Sequence, residues 1–247
     1  MKILHVITSL DTGGAEMMLA KLISRMDREK FTSSVVSLLH PGPVAQRILD
    51  LGVKVLSLGL SRGVPTPVAL LRLMHIIRTV RPDIIQTWLY HADLIGFLAA
   101  KLARRTKLVW NIRCSEMELA NYRRTTAFTL AVNAKFSRFP VCVIANSYNA
   151  KEYHKKLGYR PKRFEVIPNG FDLERFKPDA EAAAAVRRDL GIPERAPIIG
   201  LVARFDPMKD HATFFRAASA LAAKEDSVHF ILAGDGMVSS NGRVSVL

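Results

Sequence analysis

The sequence predicts an α/β protein in which a parallel sheet is wound by helices on both faces, followed by the start of a second unit of the same kind. Three observations carry this. Apolar, β-branched runs alternate strictly with stretches of helical apolar spacing, as parallel strands joined by crossover helices require. The strands read as continuous apolar runs, which is how strands covered on both faces are composed. The segment Val166–Pro178, VIPNGFDLERFKP, then interrupts the alternation before it resumes. Pro168 can neither donate to a strand ladder nor continue a helix. Asn169-Gly170 reads as a turn because both residues tolerate positive φ, and Pro178 closes the segment ahead of a helical pattern from Asp179.

In order, Lys2 to Thr8 is the first strand. Its apolar stretch of about five residues is too short for a signal peptide, and Asp11-Thr12-Gly13-Gly14 follows at once. Ala15 to Arg28 repeats Met18, Leu19, Leu22, Ile23 and Met26 at helical spacing, with Glu16 in the first turn, where a carboxylate suits the helix dipole. Ser33 to Leu39 is a strand, Val44 to Leu51 a helix stopped by Gly52, and Val53 to Leu58 a third strand. Pro67 opens a helix through Val80, and Pro82 separates it from a strand at Asp83 to Thr87. Ala92 to Ala103 is apolar nearly all round and reads as a buried helix, and Leu108 to Ile112 is strand five. Glu116 to Phe139 reads as helical with a break near Tyr122. Val141 to Ala145 is strand six, Ser147 caps a helix to Leu157 with Gly158 as its stop, and Phe164 to Ile167 is strand seven. Past the join, Asp179 to Leu190 and Ala212 to Ala223 are helices, and Ile198 to Ala203 and Val228 to Ala233 are strands.

Composition narrows the class. Hydrophobic residues make up 49% of 247 and charged residues 23%, the balance of a globular protein with ample core. No run of 18 apolar residues without charges occurs, so no spanning helix is predicted. Two cysteines, Cys114 and Cys142, match neither a disulfide framework nor a zinc pattern, and a cytoplasmic setting is the expectation. The net charge is +14, of which Leu98 to Arg163 holds +12 from fifteen Lys/Arg against three Glu. Such a face is either a solvated basic surface or one that attracts phosphates of nucleic acid, anionic lipid or substrates.

Parallel sheets bind ligands at the carboxyl ends of their strands, beside helix N-termini. The first such loop holds Gly13-Gly14, which either lets backbone amides approach a phosphate or sugar, or serves a turn needing positive φ; it is not a G-x-G-x-x-G dinucleotide fingerprint. Arg204-Phe205-Asp206-Pro207-Met208-Lys209 lies between a strand and a helix, so its two cations can converge on one anion with help from the helix N-terminus. His91 follows strand four as a hydrogen-bond donor, a base or a structural side chain, and Arg113 follows strand five on the same rim. Cys114 reads as a small buried filler. No D-x-D, H-E-x-x-H or G-x-S-x-G pattern supports metal or serine-hydrolase chemistry.

MKILHVITSLDTGGAE, ADLIGFLAAKLA, ANSYNAKEYHKKLGY, VIPNGFDLERFKP, GLVARFDPMKDH and FILAGDG together resemble the family 4 glycosyltransferases of the GT-B fold, in that family's order along the whole chain. The resemblance implies a complete N-terminal Rossmann-like domain with a parallel sheet over residues 1–167, on the acceptor side. It implies a linker over 168–178, and over 179–247 an incomplete second Rossmann-like domain that binds the donor. It implies a retaining transfer from a UDP- or GDP-sugar to a sugar or lipid-linked acceptor, without cofactor or catalytic metal. Gly13 and Gly14 would lie near the donor phosphate and sugar, Arg204 and Lys209 would hold the diphosphate, and Gly234, Asp235 and Gly236 would border the base. Many members place a cleft histidine after strand five, where this chain has Arg113-Cys114, so His91 and Arg113 stand as the catalytic candidates. The family's acidic pair for the donor sugar is not reached before Leu247, and the expectation is a fragment inactive by itself. Its region after about Pro178, with two strands where a sheet needs more, should be protease-sensitive.

Arg123, Arg124, Lys135 and Arg138, interleaved with Phe128, Leu130 and Phe136, are expected to form a patch that docks on anionic membrane near a lipid-linked acceptor, peripheral on the inner face of the plasma membrane. Nucleic acid is not the expected partner. Two other readings stand beside the transferase: a non-catalytic basic module that binds membrane or nucleic acid, and a nucleotide-sugar 2-epimerase, which leaves the linker motif less well explained.

Overall fold

β1 (Lys2–Ile7) buries every residue after Lys2, with Leu4 and Val6 turned to one layer of helices and Ile7 to the other, as a doubly covered strand must. The structure, a computed structural model, describes residues 1–61, 67–103, 106–115 and 124–237. It divides into two compact units, Met1–Phe171 and the chain from Asp172 onward.

In the first unit β1 is followed by α1 (Gly14–Arg25), β2 (Thr32–Leu39), α2 (Pro43–Asp50), β3 (Lys54–Leu60), α3 (Pro67–Val80), β4 (Ile84–Trp88) and α4 (Tyr90–Ala103). Then come β5 (Lys107–Ile112), α5 (Arg124–Phe136), β6 (Cys142–Ala145), α6 (Tyr148–Lys156) and β7 (Phe164–Val166). The strands form one sheet of order β3-β2-β1-β4-β5-β6-β7, parallel throughout. The order reverses between β1 and β4, so the loops leaving these two strands diverge and open a crevice at their carboxyl ends. One face is packed by α1 and α2 through Leu19, Ile23, Val44 and Ile48, the other by α3, α4 and α5 through Leu73, Ile77, Ile95, Phe97 and Leu130. Full burial of each such Leu or Ile contributes about 1.5–3 kcal/mol. Gly96 lets α4 sit close over β4, since a Cβ there would stand 2.4 Å from Thr87 Cγ2.

The second unit contains α7 (Ala180–Asp189), β8 (Ile198–Val202), a 3-10 turn at Pro207–Lys209, α8 (His211–Ala222) and β9 (His229–Ala233). β8 and β9 pair in parallel. Asp179 caps α7 by accepting from the Ala182 amide at 2.9 Å. Ile192 and His211 are the only buried side chains among this unit's described residues.

Several local expectations are corrected. Neither Asn169 nor Gly170 has a positive φ and no turn forms there; the Asn169 side chain is engaged by Arg113 instead. α4 begins at Tyr90 and is not buried all round, because Leu98 and Leu102 face outward. Cys114 is only half-buried, at the margin of the larger core cluster. Leu130 belongs to the core and not to a surface patch. The expected helix over 116–139 is seen as α5 from Arg124; residues 116–123, which include Arg123 of the basic patch, lie outside the described residues.

Candidate functional site

The loop after β1 leads into α1 through Gly13, whose φ of −160° is ordinary extended backbone. Neither Gly13 nor Gly14 has a positive φ, so the strained-turn explanation fails. The glycine at 13 makes room for Glu16: a Cβ there would stand 2.3 Å from Glu16 Oε2. The buried Glu16 carboxylate, which accepts from Ser9 Oγ at 3.3 Å, thus takes the anion position over the α1 N-terminus. Gly14 has nothing within 4 Å of its Cβ position and remains open to close approach.

On the other side of the crevice, β4 ends in Trp88 and the chain turns through Leu89, at φ +73°, into α4. Bulky residues with positive φ are uncommon and gather where surrounding structure dictates the backbone. Here the first turn of α4 is tied down from behind. His154 Nδ1 donates to Ala150 O at 2.7 Å, so Nε2 accepts from the Tyr90 hydroxyl at 2.8 Å, and Asn133 Nδ2 donates to Tyr90 O at 2.9 Å. Burial lowers the His154 pKa, in keeping with this neutral tautomer. Asp93, one turn on, is fully buried and accepts from Thr87 Oγ1; desolvation raises its pKa well above the carboxylate range. His91 sits on this anchored turn, half-buried, with its pKa lowered by desolvation and no hydrogen-bond partner among the described residues. Burial thus favours its neutral form.

Arg113 leaves β5 and lays its guanidinium over the Trp88 ring, 5.3 Å from the centroid. Nη2 donates to Asn169 Oδ1 and Nη1 to Asn111 Oδ1 at 3.4 Å. Asn146 Nδ2 donates to Arg113 O at 3.4 Å, and the Ser115 and Ser147 hydroxyls meet at 3.2 Å. His91 and Arg113 therefore leave adjacent strands at the same end of the sheet.

In the second unit Arg204 is already paired: Nε and Nη2 both reach Asp206 Oδ2, at 3.2 and 3.0 Å. Asp206 Oδ1 caps the 3-10 turn through the Met208 amide at 3.0 Å. Lys209 ends that turn, exposed. The helix N-terminus expected to help these cations is not free, because the Asp210 carboxylate accepts from the Thr213 amide at 3.3 Å. The Gly234-Asp235-Gly236 loop is stitched to this segment by Phe205 N–H donating to Asp235 O at 2.8 Å. Gly234 is required sterically, since a Cβ would meet Ala203 O at 2.0 Å.

Of the basic patch, Arg124, Lys135 and Arg138 are exposed with Phe128 and Phe136. Phe97 stacks on Phe136 at 4.8 Å, takes Phe139 edge-on at 4.9 Å and lies under Lys101 Nζ at 5.9 Å. The part of Asn169 as partner of Arg113 and the Tyr90–His154 pair were missed in the sequence, and Glu16 was read for the helix dipole but not for the space at Gly13. An acidic residue just inside a glycine-led helix and polar residues at apolar helix positions are the signals that pointed to them.

The Glycosyltransferase Family 4 model matches residues 12–175. EpsF of Bacillus subtilis (strain 168), provisionally named a glycosyltransferase, is 28% identical over 250 residues, covering 95% of this chain and 62% of EpsF. The UDP-Gal:alpha-D-GlcNAc-diphosphoundecaprenol alpha-1,3-galactosyltransferase of Escherichia coli is 26% identical over 172 residues, 68% of this chain and 44% of that protein. Among solved structures, HepE of Anabaena in complex with UDP-glucose matches at TM-score 0.78 and 24% identity, over 100% of this chain and 64% of HepE. UDP-GlcNAc 2-epimerase of Neisseria meningitidis, bound to UDP-GlcNAc, is more distant at TM-score 0.62 and 14% identity, over 100% of this chain and 69% of the epimerase. The chain thus spans less than two thirds of the length of the two curated relatives. The family match takes in the crevice between β1 and β4 and the Arg113–Asn169 contact, and with the GT-B likeness of the fold it places this chain in glycosyltransferase family 4.

Proposed function

We propose that the chain serves a retaining transfer of a sugar from a UDP- or GDP-sugar to a sugar or lipid-linked acceptor. The observation that carries this reading is the seam in the second unit, where the Arg204–Lys209 loop is joined at the carboxyl ends of β8 and β9 to Gly234-Asp235-Gly236. A departing nucleoside diphosphate gains negative charge as its bond to the sugar breaks, and fixed cations lower that barrier. Arg204 meets the charge by leaving Asp206, an exposed pair whose loss costs about 0–1 kcal/mol. Lys209 adds a second cation, Gly234, Asp235 and Gly236 border the base, and the reaction uses no metal. In the first unit Gly14 admits close approach of a ligand, and His91 supplies a hydrogen bond or takes a proton. The HepE complex with UDP-glucose and the E. coli enzyme's UDP-Gal and lipid diphosphate acceptor support this substrate class.

The same reading includes a membrane contact. No helix among the described residues is long and apolar enough to cross a membrane. Phe136 and Phe139 around Phe97, with Lys101, Lys135 and Arg138 beside them in the sequence, give instead the aromatic and cationic composition of a surface that rests on anionic lipid. The test is a panel of UDP- and GDP-sugars, scored by saturation-transfer NMR for binding and by radiolabel for transfer to a lipid-linked sugar. Selective binding of one donor is expected. Binding of nucleic acid or vesicles with no nucleotide sugar retained would replace the reading with a non-catalytic basic module. Free epimerised nucleotide sugar as the product would replace it with a 2-epimerase.

A further inference from the structure

Arg113 differs from Arg204 and from the exposed Arg163 in what neutralises it. Arg204 has Asp206 and Arg163 has Glu165 at 2.7 Å, whereas among the described residues the Arg113 guanidinium contacts only the neutral amides of Asn169 and Asn111 and the Trp88 ring. It is half-buried, and desolvation lowers its pKa with no carboxylate among the described residues to offset the effect. Holding a guanidinium partly out of water without a counter-ion is costly, and the cost is removed when an anion binds. Roughly three of the five N–H donors of a guanidinium remain after the two amide bonds, in the planar fork that suits phosphate oxygens. The location is where a ligand is expected on physical grounds, over the last residue of β4 beside the point where the strand order reverses. The surroundings are donors and hydroxyls: Ser115 and Ser147 meet at the ends of β5 and β6, and Asn146 braces the Arg113 carbonyl.

We infer that Arg113, stacked on Trp88 and steadied by Asn169, is the receptor for a phosphate group of the acceptor substrate. The inference rests on the transferase reading for the word acceptor and on the first unit alone for the phosphate. The donor diphosphate already has Arg204 and Lys209 in the second unit, so an uncompensated cation in the first unit calls for a second anion. A sugar carried on a phosphate or diphosphate linker supplies one. Asn169 holds the fork without discharging it, which a carboxylate at that position would do.

The test follows binding to the 247-residue chain by calorimetry and by the indole N–H resonance of Trp88, which lies directly under Arg113. The probes are inorganic pyrophosphate, N-acetylglucosamine 1-phosphate as a soluble acceptor head, and UDP. Pyrophosphate and the sugar phosphate should shift the Trp88 resonance, and Arg113→Gln should weaken the sugar phosphate about ten- to a hundredfold. Lys162→Gln, which removes one exposed charge elsewhere in the unit, should not. Arg113→Lys keeps the charge and loses the fork, so it should fall between; it carries the test if the Gln variant fails to fold. Equal loss in Arg113→Gln and Lys162→Gln would mean diffuse attraction and overturn the inference. Weakening of UDP but not of the sugar phosphate would overturn the acceptor assignment and give the site to the donor. Failure of every UDP- and GDP-sugar to bind, with these affinities intact, would count against the transferase reading while leaving the anion receptor in place.

Discussion

His5 offers a quantitative check on how the floor of this crevice is built. It lies in β1 between β2 and β4, fully buried, with Nε2 at 3.3 Å from Ser33 Oγ, Gln86 opposite it in the ladder and the Trp88 ring 6.4 Å away. Desolvation lowers its pKa from 6.5 to about 4, and a contact with the Gln86 side chain offsets this in part. The unfolded chain therefore takes up a proton on His5 before the folded chain does. Stability from this residue is intact above the unfolded value and is lost as the pH falls from about 6.5 to about 4. With 1.36 kcal/mol per unit, the loss reaches about 2 kcal/mol at pH 5 and about 3 kcal/mol at pH 4.

Both tryptophans, Trp88 and Trp110, lie in the first unit, so urea unfolding followed by their fluorescence reads that unit alone. The comparison is wild type against His5→Leu, which cannot titrate. His91 and His154 also have lowered pKa values and share the sign of His5, whereas Asp93, raised by burial, costs stability as the pH rises; these contributions are common to both proteins. The expected result is a His5→Leu variant of lower stability at pH 7.5, from the lost contacts with the Ser33 and Gln86 side chains, but one that loses about 3 kcal/mol less on going to pH 4. Parallel pH profiles for the two proteins would refute the reasoning, because they would mean that His5 is charged in the fold or reaches water.

Three further outcomes follow from the proposed roles. In a version extended to the length of the relatives, Arg204→Ala and Lys209→Ala should each lower sugar transfer about ten- to a thousandfold, while differential scanning calorimetry should show little change, since exposed loop cations contribute at most about 1 kcal/mol. Asp206→Asn keeps a good cap for the 3-10 turn but frees Arg204, so titration calorimetry should show tighter UDP binding by a few fold; weaker binding would mean that Asp206 holds Arg204 in its working position. Lys135→Gln with Arg138→Gln should lower sedimentation with anionic vesicles about thirtyfold, at roughly 1 kcal/mol per cation, and binding that is equal on neutral vesicles, or stronger to DNA, would remove the membrane contact.

The fold was legible because nearly every element announced itself twice, by period and by punctuation. Pro67 and Pro82 bracket α3, Ser147 and Gly158 bracket α6, and buried parallel strands such as Val6 and Val143 sit in unbroken apolar runs. What was not legible is what side chains do to each other across long separations or within tight loops. Asn169-Gly170 carries turn propensity, yet a partner 56 residues away holds Asn169 and the backbone stays out of positive φ. Gly13 looks like space for a ligand, and the space is filled by a carboxylate three residues later. Leu130 sits among basic and aromatic residues that face outward, but its place in the helical period turns it to the core.

The two arginines show why position on a strand end is not enough to assign a role. Arg204 and Arg113 both follow strands at the ligand-binding edge, and the sequence reads the first as a cation for the diphosphate and the second as a catalytic candidate. In the fold, Arg204 is exposed and answered by Asp206, so its charge is inexpensive to hold and is exchanged readily from one anion to another. That suits a group whose task peaks while a leaving group gains charge. Arg113 is half-buried, stacked and unanswered, so it gains most from an anion that stays for the whole encounter. Transient stabilisation of a leaving diphosphate and steady capture of an acceptor phosphate are different tasks, and on the proposed reading the neutralisation of each arginine by the described residues suits Arg204 to the first and Arg113 to the second.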